Sequence, residues 1–198
     1  MVDLTGPDPY AAVVELRWPS VEMVDSYAAA LATGWSPETF RPEASDEELA
    51  AIVQDREAFV ASMVDRAAAG PPFRQPDGTL TPRIPGYRKW MWDGEFAGSI
   101  NLRWRPGTNA LPEQVLGHIG YSVVPWKRRR GYATCAVGMI LADAATEGLT
   151  EVEVTTDEDN VGSRRVIERN GGELVGRFTK LGLDAHPVAS LRYRITVA

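Results

Sequence analysis

The sequence predicts a mixed α/β (α+β) fold, and three observations carry that prediction. Apolar residues recur at helical spacing in some segments, as at Val137, Ile140, Leu141 and Ala144. Elsewhere they alternate with polar residues, as in Glu151–Thr156, where acids and β-branched residues take turns. The resulting order is two helices, three strands, helix, strand, helix and two strands. That order describes a mixed sheet and departs from a regular βαβ repeat.

Each element has its own signal. Ala12–Leu16 reads as a strand. Pro19-Ser20 stand before a helix marked by Val21, Val24, Ala28 and Leu31. Gly34 to Pro42 reads as a loop. Ser45 with Glu48 forms a capping box at the head of a longer helix, which carries Leu49, Ile52, Val53, Val60, Met63, Val64 and Ala67 on one face. Gly70-Pro71-Pro72 stops it. Residues 70–86 hold five prolines and three glycines and read as a long loop, either a lid or a disordered segment. Tyr87–Trp92 and Glu95–Trp104 form a hairpin about Asp93-Gly94, and Val115–Val124 is the next extended run. Ala133–Glu147 is a helix ended by Gly148. Val161–Arg169 is a short helix closed by Asn170-Gly171-Gly172, and Glu173–Phe178 and Ser190–Val197 are the last strands.

Composition sets bounds on function. A chain of 198 residues with 44% hydrophobic and 24% charged residues has the make-up of one globular domain. No apolar run approaches the ~20 residues that span a bilayer, and MVDLTGPDPY lacks the features of a signal peptide, so no membrane association is expected. The single Cys135 excludes an internal disulfide and fits a reducing compartment, so a cytoplasmic location is expected. A net charge of −6 supplies no overall basic field for nucleic acid. The charge is uneven. Glu43 to Asp65 holds seven acids and one arginine, while Lys127 to Arg130 are four consecutive bases.

The informative unit is a strand, a short basic loop, a glycine and a helix, running IGYSVVP, WKRRR, GYAT. A helix N-terminus offers unpaired N–H groups and the positive end of the dipole, which together bind anions. Gly131 and the small Ala133 let a ligand approach the backbone, and Arg128, Arg129 and Arg130 add positive charge. Such a site suits a diphosphate. Neither GxxxxGK[ST] nor GxGxxG occurs, so this is neither a P-loop nor a dinucleotide fingerprint.

Arg128-Arg129-Arg130-Gly131-Tyr132-Ala133 resembles the (Gln/Arg)-x-x-Gly-x-(Gly/Ala) signature of the GCN5-related N-acetyltransferase (GNAT) superfamily. Downstream, Asn160-x-x-Ser163 resembles the family's Asn-x-x-(Ala/Ser), and Gly171-Gly172 the glycine that follows the next helix. The resemblance covers residues 87–180. It implies a mostly antiparallel central sheet, helices on both faces, and a splayed fourth and fifth strand pair. It also implies acetyl-CoA as co-substrate, held by Val123, Val124, Arg128, Arg129, Arg130, Gly131, Tyr132, Ala133, Thr134, Asn160 and Ser163. Within one domain of 1–198, it implies that residues 1–86 shape the acceptor side, 87–180 bind the cofactor, and 181–198 add the final strand. Look-alikes commonly dimerise, so a homodimer is an expectation.

Amine acetylation needs a base for the amine, a donor for the oxyanion and a proton for the departing thiolate. His118, in the strand that resembles the family's fourth, is the candidate base, with a structural histidine as the alternative. The family's usual tyrosine acid falls at Ile167 here, so that role is not carried over; Tyr193, on the last strand, is the substitute. Asp157, Glu158 and Asp159 either face an acceptor amine or complement a helix dipole. Cys135 reads as core, since attack in this family is direct. Trp90, Trp92, Trp104 and Trp126 read as packing residues, and His186 has no partner spacing for a metal.

The expectation is therefore transfer of acetyl from acetyl-CoA to a primary amine. The acidic flank and the Pro/Gly loop favour a small cationic acceptor, with a protein N-terminus or lysine as alternative. A non-catalytic acyl-CoA-binding module, or a binder of another phosphorylated ligand, are the competing classes.

Overall fold

The computed structural model describes residues 14–38, 41–74, 80–182 and 186–197. Strand β1 (Glu15–Arg17) overlaps the expected Ala12–Leu16, whose first residues lie outside the described ones. Pro19-Ser20 lead into a 3-10 turn and then helix α1 (Val24–Ala32).

The single helix expected from Ser45 to Ala67 is two helices, α2 (Ala44–Gln54) and α3 (Arg56–Ser62). Asp55 breaks them apart. Its backbone is extended (φ −162°, ψ 104°), and its side chain accepts the Ala58 N–H at 2.9 Å, capping α3. Val53, expected on the apolar face, is 86% exposed. The capping box also fails to form. Ser45 donates to the Pro42 carbonyl instead, and Glu48 turns inward to Tyr27 and Arg88. A half-buried arginine is a stronger draw for that carboxylate than one solvated amide.

Strands β2 (Val64–Asp65), β3 (Phe73–Arg74) and β4 (Leu80–Thr81) follow, the last two pairing with each other inside the expected long loop. Next come β5 (Gly86–Trp92) and β6 (Phe96–Arg103), joined through a turn in which Gly94 has φ +105°. Strand β7 (Ile119–Val123) is shorter than its expected run. Helix α4 (Tyr132–Thr146), strand β8 (Glu151–Asp157), helix α5 (Val161–Arg169), and strands β9 (Glu173–Leu181) and β10 (Pro187–Thr196) complete the order.

The strands form an antiparallel sheet ordered β1-β5-β6-β7, with β2 also on β5, and a second antiparallel sheet ordered β8-β10-β9. Helices cover both faces. Met91, Ile100, Leu102 and Ile119 pack with Val137 and Ile140 of α4, Val152 and Val154 of β8, and Ile167 of α5. On the opposite face Trp90, Phe96 and Val124 pack with Tyr27 and Leu31 of α1, Ile52 of α2 and Phe59 of α3. Tyr27 stacks on Trp90 at 4.7 Å, a contact worth about 1 kcal/mol beyond its buried area.

Among the described residues, the backbones of the two sheets are hydrogen-bonded at His118 and then part. The His118 N–H donates to the Glu153 carbonyl at 2.7 Å, and the Glu153 N–H donates to His118 Nδ1 at 2.9 Å. Among the described residues, no backbone ladder joins β7 to β8 beyond this point. The pairing of Val124 N–H with Ala97 O, and of Arg103 N–H with His118 O, sets the phase of β7. Antiparallel alternation then turns the backbone groups of Ile119, Tyr121 and Val123 away from β6, into the split.

Burial holds the His118 imidazole below its usual 6.5, with the Glu153 carboxylate partly opposing. Unfolding then takes up a proton once the pH is below that value, so the stabilisation is complete above it and is lost as pH falls toward the folded value. We expect the urea midpoint of the wild type to fall between about pH 7 and about pH 5, and His118→Asn to flatten part of that slope. Unfolding curves across pH, read by tryptophan fluorescence, measure it.

Candidate active site

The loop after β7 folds back on itself before α4. Arg129 has φ +65° and Gly131 φ +81°, both in the left-handed region. A β-carbon on Gly131 would meet no atom within 4 Å, so the glycine faces open space. The first helical hydrogen bond of α4 runs from Cys135 N–H to Gly131 O at 3.0 Å. The amides of Arg129 through Thr134 therefore have no backbone acceptor among the described residues. They form a row of donors at the positive end of a helix of 15 residues. Arg128, Arg129 and Arg130 are exposed around it, and Arg128 Nε donates to Val123 O at 3.1 Å.

The fourth base of the run behaves differently. Lys127 is buried, with Nζ 2.5 Å from Asp93 Oδ1 and 2.8 Å from Glu95 Oε1. The other Asp93 oxygen accepts the Tyr132 hydroxyl. The turn between β5 and β6 thus holds both ends of the loop, through charge-assisted bonds. These partners raise the Lys127 pKa against the cost of burial, and hold the Asp93 carboxyl low against the same cost.

Beyond the loop, the split between β7 and β8 is crossed by one side-chain bridge. Tyr121 Oη lies 2.8 Å from Ser163 Oγ on α5. Burial pushes the Tyr121 hydroxyl up to about 12, with Ser163 partly opposing, so it stays protonated at neutral pH. Asn160 caps α5 by accepting the Ser163 N–H at 3.0 Å. Gly172 is required behind this helix, because a β-carbon there would lie 2.3 Å from Ile167 Cγ2.

The opposite face of the first sheet, under the α1–α2 side, carries a polar stripe. Register places Arg88 beside Asn101 and Gly120, and Trp90 beside Ser99 and Ser122. Arg88 binds Glu48 Oε1 at 2.8 Å and Asn101 Oδ1 at 3.2 Å. Trp35 Nε1 donates to Ser122 Oγ at 3.1 Å. A cavity of about 270 Å³ opens here, lined by Trp35, Ser36, Glu38, Ser122, Pro125 and Arg128. It joins the phosphate-type loop to the polar stripe. A larger cleft of about 420 Å³ lies at Glu158, Asp159 and Pro187–Ala189, away from the loop. We place the site at the smaller cavity because it alone meets β7 and Arg128.

The candidate residues fall into separate places. Val123, Arg128 to Thr134, Asn160 and Ser163 lie at the loop and the split, whereas Val124, expected to hold the cofactor, is fully buried in the core on the α1 side, its N–H donating to Ala97 O at 3.0 Å. Tyr132 points inward to Asp93. His118 is buried at the junction with Nδ1 already accepting an amide, and its buried Nε2 has no hydrogen-bond partner. Tyr193 is buried on β10, where its hydroxyl donates to Glu168 at 3.1 Å. Asp157 and Glu158 pair with Lys180 and Arg177 of β9. Cys135 packs against the core, and Ile167 is fully buried. Trp90 and Trp104 are core while Trp126 is 46% exposed. Among the described residues no cluster of His, Cys, Asp and Glu could hold a metal, and no helix is long and apolar enough to cross a membrane. Sequence reasoning passed over Asp93, Tyr121, Trp35 and Glu38. Alternation in β7 separates Tyr121 from Ser122, but only the neighbouring helices show what each face meets.

Comparison with known proteins agrees with this architecture. The model of the Acetyltransferase (GNAT) domain family matches residues 38–173. The structure titled Mycobacterium smegmatis RimJ in complex with CoA-disulfide is 22% identical, with TM-score 0.62 and coverage of 94% of this chain and 83% of that one. RimL, a ribosomal L7/L12 α-N-protein acetyltransferase in complex with coenzyme A, is 16% identical, with TM-score 0.66 and coverage of 96% and 97%. The microcin C7 self-immunity acetyltransferase MccE, in complex with acetyl-CoA and AMP, is 13% identical, with TM-score 0.61 and coverage of 93% and 92%. No curated protein sequence matches the chain.

Replacing Asp93 by alanine leaves Lys127 buried with Glu95 alone. We expect a loss of about 3 kcal/mol, the lower end for breaking a buried pair, because Glu95 still contributes. Denaturant unfolding of Asp93→Ala against wild type measures it.

Proposed function

The chain belongs to the acetyltransferase (GNAT) family, and we propose that it transfers the acetyl group of acetyl-CoA directly to the amine of a small acceptor. The observation that carries this reading is the row of unshared amides from Arg129 to Thr134, opening onto a strand edge that is itself unpaired.

The residues present fit coenzyme A. The amide row and the surrounding arginines suit a pyrophosphate, and the open space at Gly131 admits it. The edge of β7 offers backbone groups to an amide-bearing arm lying in the split, as an added strand would. In this reading the Val123 N–H, which faces away from β6, donates to the thioester carbonyl and steadies the oxyanion. Acetyl-CoA supplies an activated acyl carbon. The acceptor nitrogen attacks it, the C–S bond breaks, the nitrogen loses a proton and the sulfur gains one.

Tyr121 supports the sulfur side of that balance. A hydroxyl that stays protonated donates a hydrogen bond to developing thiolate charge, and Tyr121 stands in the split where Ile167 supplies no such group. Glu38 serves the amine side. It is the carboxylate lining the cavity beside Ser122, and it takes the proton that the nitrogen sheds. His118 holds the junction that orients β7, because its Nδ1 is committed to the Glu153 amide. A cavity of about 270 Å³ favours a small acceptor, and the acids of α2 and α3 favour an approaching cation.

Gly131→Val adds bulk where no atom of the chain lies within 4 Å, so its effect falls on the ligand. We expect the thermal shift with CoA to vanish, at a folding cost of about 1–2 kcal/mol for the left-handed backbone. Retained CoA binding would place the cradle elsewhere. Glu38→Gln and Tyr121→Phe should each lower kcat by about 100-fold with KM for acetyl-CoA unchanged, read by thiol release across a panel of amines. CoA binding with no thiol release on any amine would mark an acyl-CoA-binding module instead.

A further inference from the structure

The polar stripe beneath α1 and α2 ends in a charge that the reaction above does not use. Arg103 lies on β6 beside Gly86 of β5 and next to the His118 carbonyl. Its Nε donates to Gly117 O at 2.7 Å, which anchors the guanidinium. Among the described residues its terminal nitrogens have neither a hydrogen-bond acceptor nor a carboxylate within 4 Å. Burial pulls its pKa down, with Glu38 partly opposing.

Two donors converge on the position that a side chain at Gly120 would take. A β-carbon on Gly120 would lie 3.6 Å from Arg103 Nη2 and 3.9 Å from Asn101 Nδ2. Asn101 is oriented by Arg88, whose Nε donates to Asn101 Oδ1 at 3.2 Å, so the amide nitrogen is the end turned toward Gly120. The space above Gly120 is therefore walled by an anchored guanidinium and an anchored amide, both presenting N–H groups without an acceptor. A guanidinium in a fixed orientation matches a carboxylate.

Resting on the acetyl-transfer reading, we propose that Arg103 and Asn101 over Gly120 form a subsite for a carboxylate carried by the amine acceptor. Gly120 and Ser122 share a face of β7, and Ser122, the residue before Val123, lines the cavity described above. At ~3.3 Å per residue the subsite lies about 10 Å along β7 from Val123. An α-amino acid spans only about 2.5 Å from its amine nitrogen to its carboxylate carbon and cannot bridge that interval. The acceptor class is an ω-amino acid, such as the side-chain amine of a free lysine or 6-aminohexanoate.

The test uses the reaction product, so binding is read apart from turnover. 6-Acetamidohexanoate and its neutral carboxamide are titrated by calorimetry into the full chain saturated with CoA. The wild type should bind the carboxylate at least 10-fold more tightly. Arg103→Gln should abolish that preference. Gly120→Val, which fills the spot and leaves both donors in place, should abolish it too, and both variants should keep CoA binding. Equal binding of the two products by the wild type, or an unchanged preference in Gly120→Val, overturns the subsite. Thiol release with 6-aminohexanoate and hexylamine separates this from the parent reading. Equal release from both amines leaves acetyl transfer standing and sinks the subsite. A carboxylate preference in binding with no release from either amine supports the subsite and sinks acetyl transfer.

Discussion

Everything in the site depends on where β7 stops pairing with β8. His118 sets that point. Its backbone N–H and its Nδ1 both engage Glu153, so a single residue closes the seam and ends it. A buried, neutral imidazole does this where a longer run of ladder bonds would zip the sheets together. Past the junction, the backbone groups of Ile119, Tyr121 and Val123 face the split, where Arg128 Nε takes the Val123 carbonyl. An unpaired strand edge is a liability in most sheets, and here α4 packs beside it and α5 reaches it through the Tyr121–Ser163 contact.

The second constraint is the hold of the β5–β6 turn on the basic loop. Consecutive bases repel one another, and the left-handed backbone of Arg129 adds strain that Gly131 is spared. Asp93 offsets both by taking Lys127 on one oxygen and Tyr132 on the other. The remaining arginines then stand outward beside the free amides, where their charge is useful to an anion. A hairpin that sequence alone marks as a packing element is what holds the basic loop at both ends.

Much of this was legible in the sequence, for local reasons. The helix of Tyr132–Thr146 and the helix of Val161–Arg169 follow from apolar spacing and from Gly148 and Asn170-Gly171-Gly172. The anion loop follows from a glycine between a strand and a helix. The misreadings were also physical. Asp55 was compatible with a helix interior by propensity, yet its side chain caps a new helix and splits the run in two. Ser45 and Glu48 had the spacing of a capping box, but a half-buried Arg88, 40 positions away, claims the carboxylate. Long-range partners of this kind override local preference.

The sequence by itself carries the proposed donor side, because an anion cradle is built from contiguous backbone and needs only the right residues in the right order. Only the tertiary structure carries the proposed acceptor side. Trp35, Glu38, Asn101, Arg103, Gly120 and Ser122 come from a loop and two strands that are distant in the chain. Which of their faces meet, and which donors are left without acceptors, depends on strand register and on the helices that cover the sheet.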